Sequence, residues 1–211
     1  MRYKLVAFDM DGTLIIGESC WGVIHGYFGT QGVANKNLRA YEIGEIDYSE
    51  FMRRDIEMWR PVPSIGKIWE ILSAYVLAPN VSEVVREVLR RGYQTAIVTG
   101  GFDILADAVS RKLGIKHVIA NGLEVDEHGY LTGEGIPRVE PSKKDENLIQ
   151  LAKQLGFSPE ECVAVGDSKY DAKFLKLAGL GVAVGGDPEL ARVADVVIRD
   201  FEHFPQLLDY L

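Results

Sequence analysis

Five short apolar runs, Leu5–Phe8, Thr95–Val98, Val163–Val165, Gly181–Val184 and Val196–Ile198, are bounded by Gly and Asp, and helix-period segments separate most of them. An apolar run of this length reads as a strand buried on both faces, which a parallel sheet covered by helices provides. Helices are expected at Val81–Arg91, Phe102–Leu113, Lys144–Leu155, Lys169–Leu177 and Phe204–Tyr210, with Gly92, Gly114 and Gly156 placed as C-terminal caps. The alternation predicts an α/β fold with a Rossmann-like parallel sheet and right-handed crossovers.

Between the first run and Val81 the pattern changes. About sixty residues pass there with no strand predicted. Helical candidates instead follow one another at Glu18–Phe28, Asn35–Tyr41, Tyr48–Trp59 and Ser64–Tyr75, and the stretch holds all three tryptophans, Trp21, Trp59 and Trp69. That is enough apolar surface for a small helical unit of its own. A second insertion, Asn121–Glu134, reads as a hairpin, with Leu123, Val125, Tyr130 and Leu131 flanking Asp126–Gly129.

Three polar clusters each begin at the carboxyl end of a predicted strand: Asp9-Met10-Asp11-Gly12-Thr13, Thr99-Gly100-Gly101, and Gly166-Asp167 with Asp171 following. Ligands bind at that edge of an open α/β sheet. In extended backbone Asp9 and Asp11 point to the same side, and two carboxylates that close call for a cation such as Mg²⁺ or for one neutral acid. Gly12 permits a sharp exit from the strand. Thr99, Gly100 and Gly101 place a hydroxyl and free N–H groups where the helix from Phe102 is expected to start, an anion site. Asp167 and Asp171 are one helical turn apart and suit the second half of a metal site. Lys144 offers the fixed positive charge that phosphoryl transfer uses. The histidines, His25, His117, His128 and His203, show no ligand spacing and are assigned no chemistry.

The net charge of −8, from 31 acidic and 23 basic residues, gives no general attraction to nucleic acid or to an anionic membrane. It does not exclude a small phosphate ester, whose binding is set by local donors and a bound cation. Cys20 and Cys162 suggest neither a disulfide framework nor a thiolate metal site. Asp9 interrupts the first apolar run before a signal peptide's core could form, and no stretch reaches membrane-span length, so a cytoplasmic protein is expected.

FDMDGTL at Phe8–Leu14, followed in order by Thr99, Lys144 and GDSKYD at Gly166–Asp171, resembles the four motifs of the haloacid dehalogenase superfamily. VTGGFDI at Val98–Ile104, Ala120-Asn121-x-Leu123 and Leu131-Thr132-Gly133 are similar to stretches of its phosphoserine phosphatase-like group. The resemblance implies a Mg²⁺-dependent phosphomonoester hydrolase acting on a small phosphorylated metabolite. Its core would be residues 1–15 and 79–211, and residues 16–78 would be a helical cap. Asp9 matches the nucleophile that becomes phosphorylated and Asp11 the general acid and base, while Thr99 and Lys144 match the phosphate-binding pair, with Gly100 and Gly101 beside them. Metal would be held by Asp9, Asp167 and the backbone carbonyl of Asp11, with Asp171 in support; Lys144 is preferred over Lys143 by its spacing to Leu148.

Two positions concern the substrate. Glu18 matches a cap glutamate that reads a substrate amino group. An ungapped alignment of Gly44–Ile56 instead puts Asp55 where the phosphoserine enzymes have the arginine that binds the serine carboxylate; Arg53 or Arg54 would compensate only in another register. Tyr170 stands where the family commonly has asparagine. A phosphotransferase or mutase of the same superfamily, and a non-catalytic phosphate-ligand binding protein, remain as alternatives.

Overall fold

The computed structural model describes residues Arg2–Leu211. After β1 (Leu5–Phe8) the chain makes a two-residue strand, β2 (Ile15–Ile16), and then four helices, α1 (Cys20–Phe28), α2 (Gln31–Glu42), α3 (Tyr48–Glu57) and α4 (Ile65–Leu72). It returns through β3 (Val76–Leu77), antiparallel to β2 with Ile15 opposite Leu77. The helical stretch is therefore bounded by a short two-stranded ribbon, where the apolar pattern predicts no strand; two-residue strands are too short for periodicity to reveal.

The remaining elements alternate as expected: α5 (Val81–Arg90), β4 (Gln94–Phe102), α6 (Asp103–Leu113), β5 (His117–Val125), β6 (Leu131–Ile136), α7 (Lys144–Leu155), β7 (Cys162–Gly166), α8 (Ala172–Leu177), β8 (Leu180–Val184), α9 (Pro188–Ala191) and β9 (Val196–Ile198). The expected helices at residues 169–177 and 204–210 begin or run as 3-10 turns, Lys169–Asp171 and Phe204–Asp209.

One seven-stranded sheet has the order β6-β5-β4-β1-β7-β8-β9, parallel except for the β5–β6 hairpin. The period of two sorts its side chains between two cores. Val6, Phe8, Ile97, Val163 and Val165 pack with Val84, Val88, Leu105 and Val109 of α5 and α6 on one face. Leu5, Ala7, Ala96, Val98 and Ala164 pack with Leu148, Leu151, Phe174 and Leu190 of α7, α8 and α9 on the other. From central β1 the strand order grows outward in both directions, so a crevice opens at its carboxyl end between the neighbours β4 and β7.

The helices α1, α3 and α4 start at side-chain caps, where Ser19, Asp47 and Ser64 accept from the amides of Gly22, Glu50 and Lys67. Trp59, Ile24, Met52 and Ile68 are fully buried between them and join the core on the α5–α6 face. The hairpin strand β6 packs on α3. Among the described residues no helix is long and apolar enough to cross a membrane.

Candidate active site

The three polar clusters meet at this crevice, because they follow β1, lie within β4 and follow β7, the three central strands. Asp9 leaves β1 with its N–H bonded to the Val165 carbonyl of β7 at 2.8 Å. The strand has ended by then, and the chain turns through Gly12 at φ +83°. A Cβ at Gly12 would collide with the Asp167 carboxylate, so this glycine supplies both the left-handed turn and the space for that acid.

Asp9, Asp167 and Asp171 each bring a carboxylate oxygen within 4.8 Å of the others. Lys144, the first residue of α7, reaches between two of them, its Nζ 2.6 Å from Asp9 Oδ1 and 2.6 Å from Asp171 Oδ1. Its neighbour Lys143 pairs with Glu140 at the surface. The other Asp171 oxygen accepts from the Asp167 and Ser168 amides and the Ser168 hydroxyl, and Thr13 Oγ1 donates to Asp167 Oδ1 at 3.2 Å. Each acid is thereby fixed in direction before any ligand arrives.

Burial pushes the Asp9 carboxyl well up, and the charges of Asp171 and Asp167 add to that against the opposing pull of Lys144. Burial and Asp171 likewise raise Asp167 to about 6. Burial alone would lower the Lys144 ammonium, but Asp171 and Asp9 outweigh it and hold it above its ordinary range. Three carboxylates around one ammonium leave a local charge of about −2 when all are ionised, which a divalent cation would neutralise. Opposite oxygen ligands of Mg²⁺ stand about 4.2 Å apart, so this donor set fits such an ion.

Asp11 does not join the cluster. The extended backbone expected to align it with Asp9 ends at Phe8, and its carboxylate lies against Gly101 and Cys20. Asp11 Oδ1 is buried with no hydrogen-bond partner. Burial raises its carboxyl, opposed by the Cys20 amide and thiol. Thr99 also differs from expectation: β4 continues through Phe102 and α6 begins only at Asp103, so Thr99 sits in the strand with its hydroxyl accepting the Gly101 N–H at 3.0 Å. That amide is therefore not free, although Thr99, Gly100 and Gly101 all line the cavity.

Above these residues a cavity of about 420 Å³ extends between the crevice and helices α1–α3. Asp55 lines it, 2% exposed, its two oxygens accepting from His25 Nε2 at 3.1 Å and Asn37 Nδ2 at 2.7 Å. Trp59 Nε1, a pure donor, lies 3.3 Å from His25 Nδ1, which makes Nδ1 an acceptor and Nε2 the protonated nitrogen facing Asp55. His25 carries no signal in the sequence because its partner is thirty residues away. Glu18 is exposed and precedes the Ser19 cap, so it stands outside α1, where a helical start was expected, beside Gly22 and Gly26 near the cavity mouth. Tyr170 donates to Glu42 of α2, as does Lys169.

The family model for haloacid dehalogenase-like hydrolases matches residues 6–176. A phosphoserine phosphatase of Methanocaldococcus jannaschii is 32% identical over 199 residues, covering 94% of this chain and 93% of that protein. A phosphoserine phosphatase of Archaeoglobus fulgidus is 33% identical over 196 residues, covering 91% of this chain and 55% of that protein, so the chain spans about half of it. Among solved structures, a phospho-aspartyl intermediate analogue of phosphoserine phosphatase superposes with a TM-score of 0.82 at 30% identity, each chain covered in full. The chain thus belongs to the haloacid dehalogenase-like hydrolase family, as a phosphatase similar to the phosphoserine phosphatases.

Proposed function

We propose that the protein hydrolyses a small phosphomonoester in the cytoplasm by way of an aspartyl-phosphate on Asp9. The observation that carries this is the division of labour among buried acids. Asp9 is held by Lys144 in a cluster suited to a cation, while Asp11 stands apart with an unpartnered oxygen and a raised pKa. A protonated Asp11 tolerates that burial better than a carboxylate does, and a neutral acid is what a leaving alkoxide needs.

In this reading Asp9, Asp167 and the Asp11 carbonyl would hold Mg²⁺, with Asp171 in support, and the ion would supply positive charge to offset the negative charge of the phosphoryl group. Lys144 and Thr99 orient the phosphate against Asp9, and the backbone at Gly100 lies alongside. A carboxylate oxygen of Asp9 attacks phosphorus as the ester oxygen departs with the Asp11 proton. Asp11, now ionised, takes a proton from water, whose oxygen attacks the phosphorus of the aspartyl-phosphate and releases phosphate and Asp9. Residues 16–78 serve as a cap over a core of residues 1–15 and 79–211, and Glu18 at its rim meets the incoming leaving group. Mg²⁺-dependent release of nitrophenol from para-nitrophenyl phosphate, abolished in a folded Asp9→Asn variant, is the expected result. Turnover by that variant would overturn the proposal.

A further inference from the structure

The wall of the cavity contributed by α1–α3 carries Trp21, Tyr41, Tyr48 and Phe51. The polar end of each ring that has one is already engaged. Trp21 Nε1 donates to the Gly100 carbonyl at 3.1 Å; Tyr48 donates to the same carbonyl at 3.4 Å and accepts from Asn121; Tyr41 donates to Glu140 at 2.8 Å. What these rings offer a ligand is carbon. His25 and Asp55 are closed in the same way, with both ring nitrogens and both carboxylate oxygens bonded within the protein. A buried polar group already satisfied gives a ligand little to gain, whereas an added anion beside Asp55 meets its charge at low dielectric.

Among the described residues lining the cavity, Lys144 is the one lysine or arginine, and it is held between Asp9 and Asp171. Arg53 and Arg54 do not supply another. Phe51 and Asp55 line the cavity, one helical turn apart, while Arg53 is bound to Glu50 and Glu57 and Arg54 to Glu50 at the surface of the same helix.

Given the phosphatase reading on which this rests, we infer that the preferred substrate is the phosphate ester of a carboxylate-free alcohol with an apolar, aromatic body, and that Trp21 and Phe51 determine this specificity. L-phosphoserine, whose carboxylate finds no cation here, is then a poor substrate despite the names of the relatives.

The test is kcat/KM with Mg²⁺ for benzyl phosphate, glycerol 2-phosphate and L-phosphoserine, all of which release alkoxides and so demand similar protonation. Benzyl phosphate is expected to exceed L-phosphoserine by roughly a hundredfold or more and glycerol 2-phosphate by roughly tenfold, the scale set by a buried unpaired charge and by an apolar contact respectively. In Phe51→Ala the KM for benzyl phosphate should rise several-fold more than that for glycerol 2-phosphate. L-phosphoserine or glycerol 2-phosphate matching benzyl phosphate in the wild type overturns the inference, as do equal KM increases for both esters in the variant. Failure to turn over para-nitrophenyl phosphate in parallel would remove the phosphatase reading itself, and the inference with it.

Discussion

Replacing Lys144 by Met keeps the length of the buried stem and removes the ammonium that lies 2.6 Å from both Asp9 and Asp171. The side chains of all three residues are at most 7% exposed, so water cannot take the place of the lost charge. Removing one partner of a buried ion pair costs about 3–5 kcal/mol, because the remaining charges stay desolvated. For a chain of this size each kcal/mol shifts Tm by about 2–4 °C, so the metal-free variant should melt about 6–20 °C below wild type. Mg²⁺ at a hundred times its Kd returns about 2.7 kcal/mol, or about 5–11 °C. The gain should be larger in the variant than in wild type, since there the ion becomes the only cation in the cluster. Thermal unfolding followed by circular dichroism, in EDTA and in Mg²⁺, measures both quantities. An unchanged Tm in EDTA, or a smaller Mg²⁺ gain in the variant, would refute the claim that Lys144 balances these acids.

Asp11→Asn should slow an alkyl phosphate far more than para-nitrophenyl phosphate, by the roughly 10²–10⁴-fold that general acid catalysis contributes; equal losses in kcat on the two esters would remove Asp11 as the acid. For the metal-free protein, Asp167 at about 6 when folded against an ordinary 3.8 keeps its proton over a pH range in which the unfolded chain has lost it. Stability should therefore fall, by up to about 3 kcal/mol, as pH rises from about 4 through 6, and Mg²⁺ should oppose the fall; urea unfolding at pH 4.5 and 7.5 checks the sign.

The parallel strands were legible because burial on both faces makes them continuous apolar runs: Leu5–Phe8 and Val196–Ile198 have the bounds expected, and Val163–Val165 and Gly181–Val184 gain only a residue at one or both ends. The strand His117–Val125 was less so. Its first three residues are only half-buried, and Asn121 and Gly122 interrupt its apolar residues, so no continuous apolar run marks it. The polar clusters could be placed on one sheet edge from their positions after strands, but the separation of Asp11 from Asp9 depends on where β1 stops, which spacing alone does not show. The His25–Asp55–Asn37 network was invisible for a different reason. Its members lie on three helices, and only their packing turns separate polar residues into a buried set. The same packing shows why Arg53 and Arg54 do not replace Asp55: the face that carries Phe51 and Asp55 is the one turned to the cavity.

Phosphoryl transfer through Asp9 leaves a trace that chemistry can capture. Rapid acid quenching of wild-type protein with Mg²⁺ and a turned-over ester, followed by borohydride reduction and peptide mass spectrometry, tests it directly, because an acyl phosphate is reduced to the alcohol where a free carboxylate is not. Homoserine at position 9, dependent on substrate and Mg²⁺, is the expected result. Reduction at another acid, or none during sustained turnover, would contradict it.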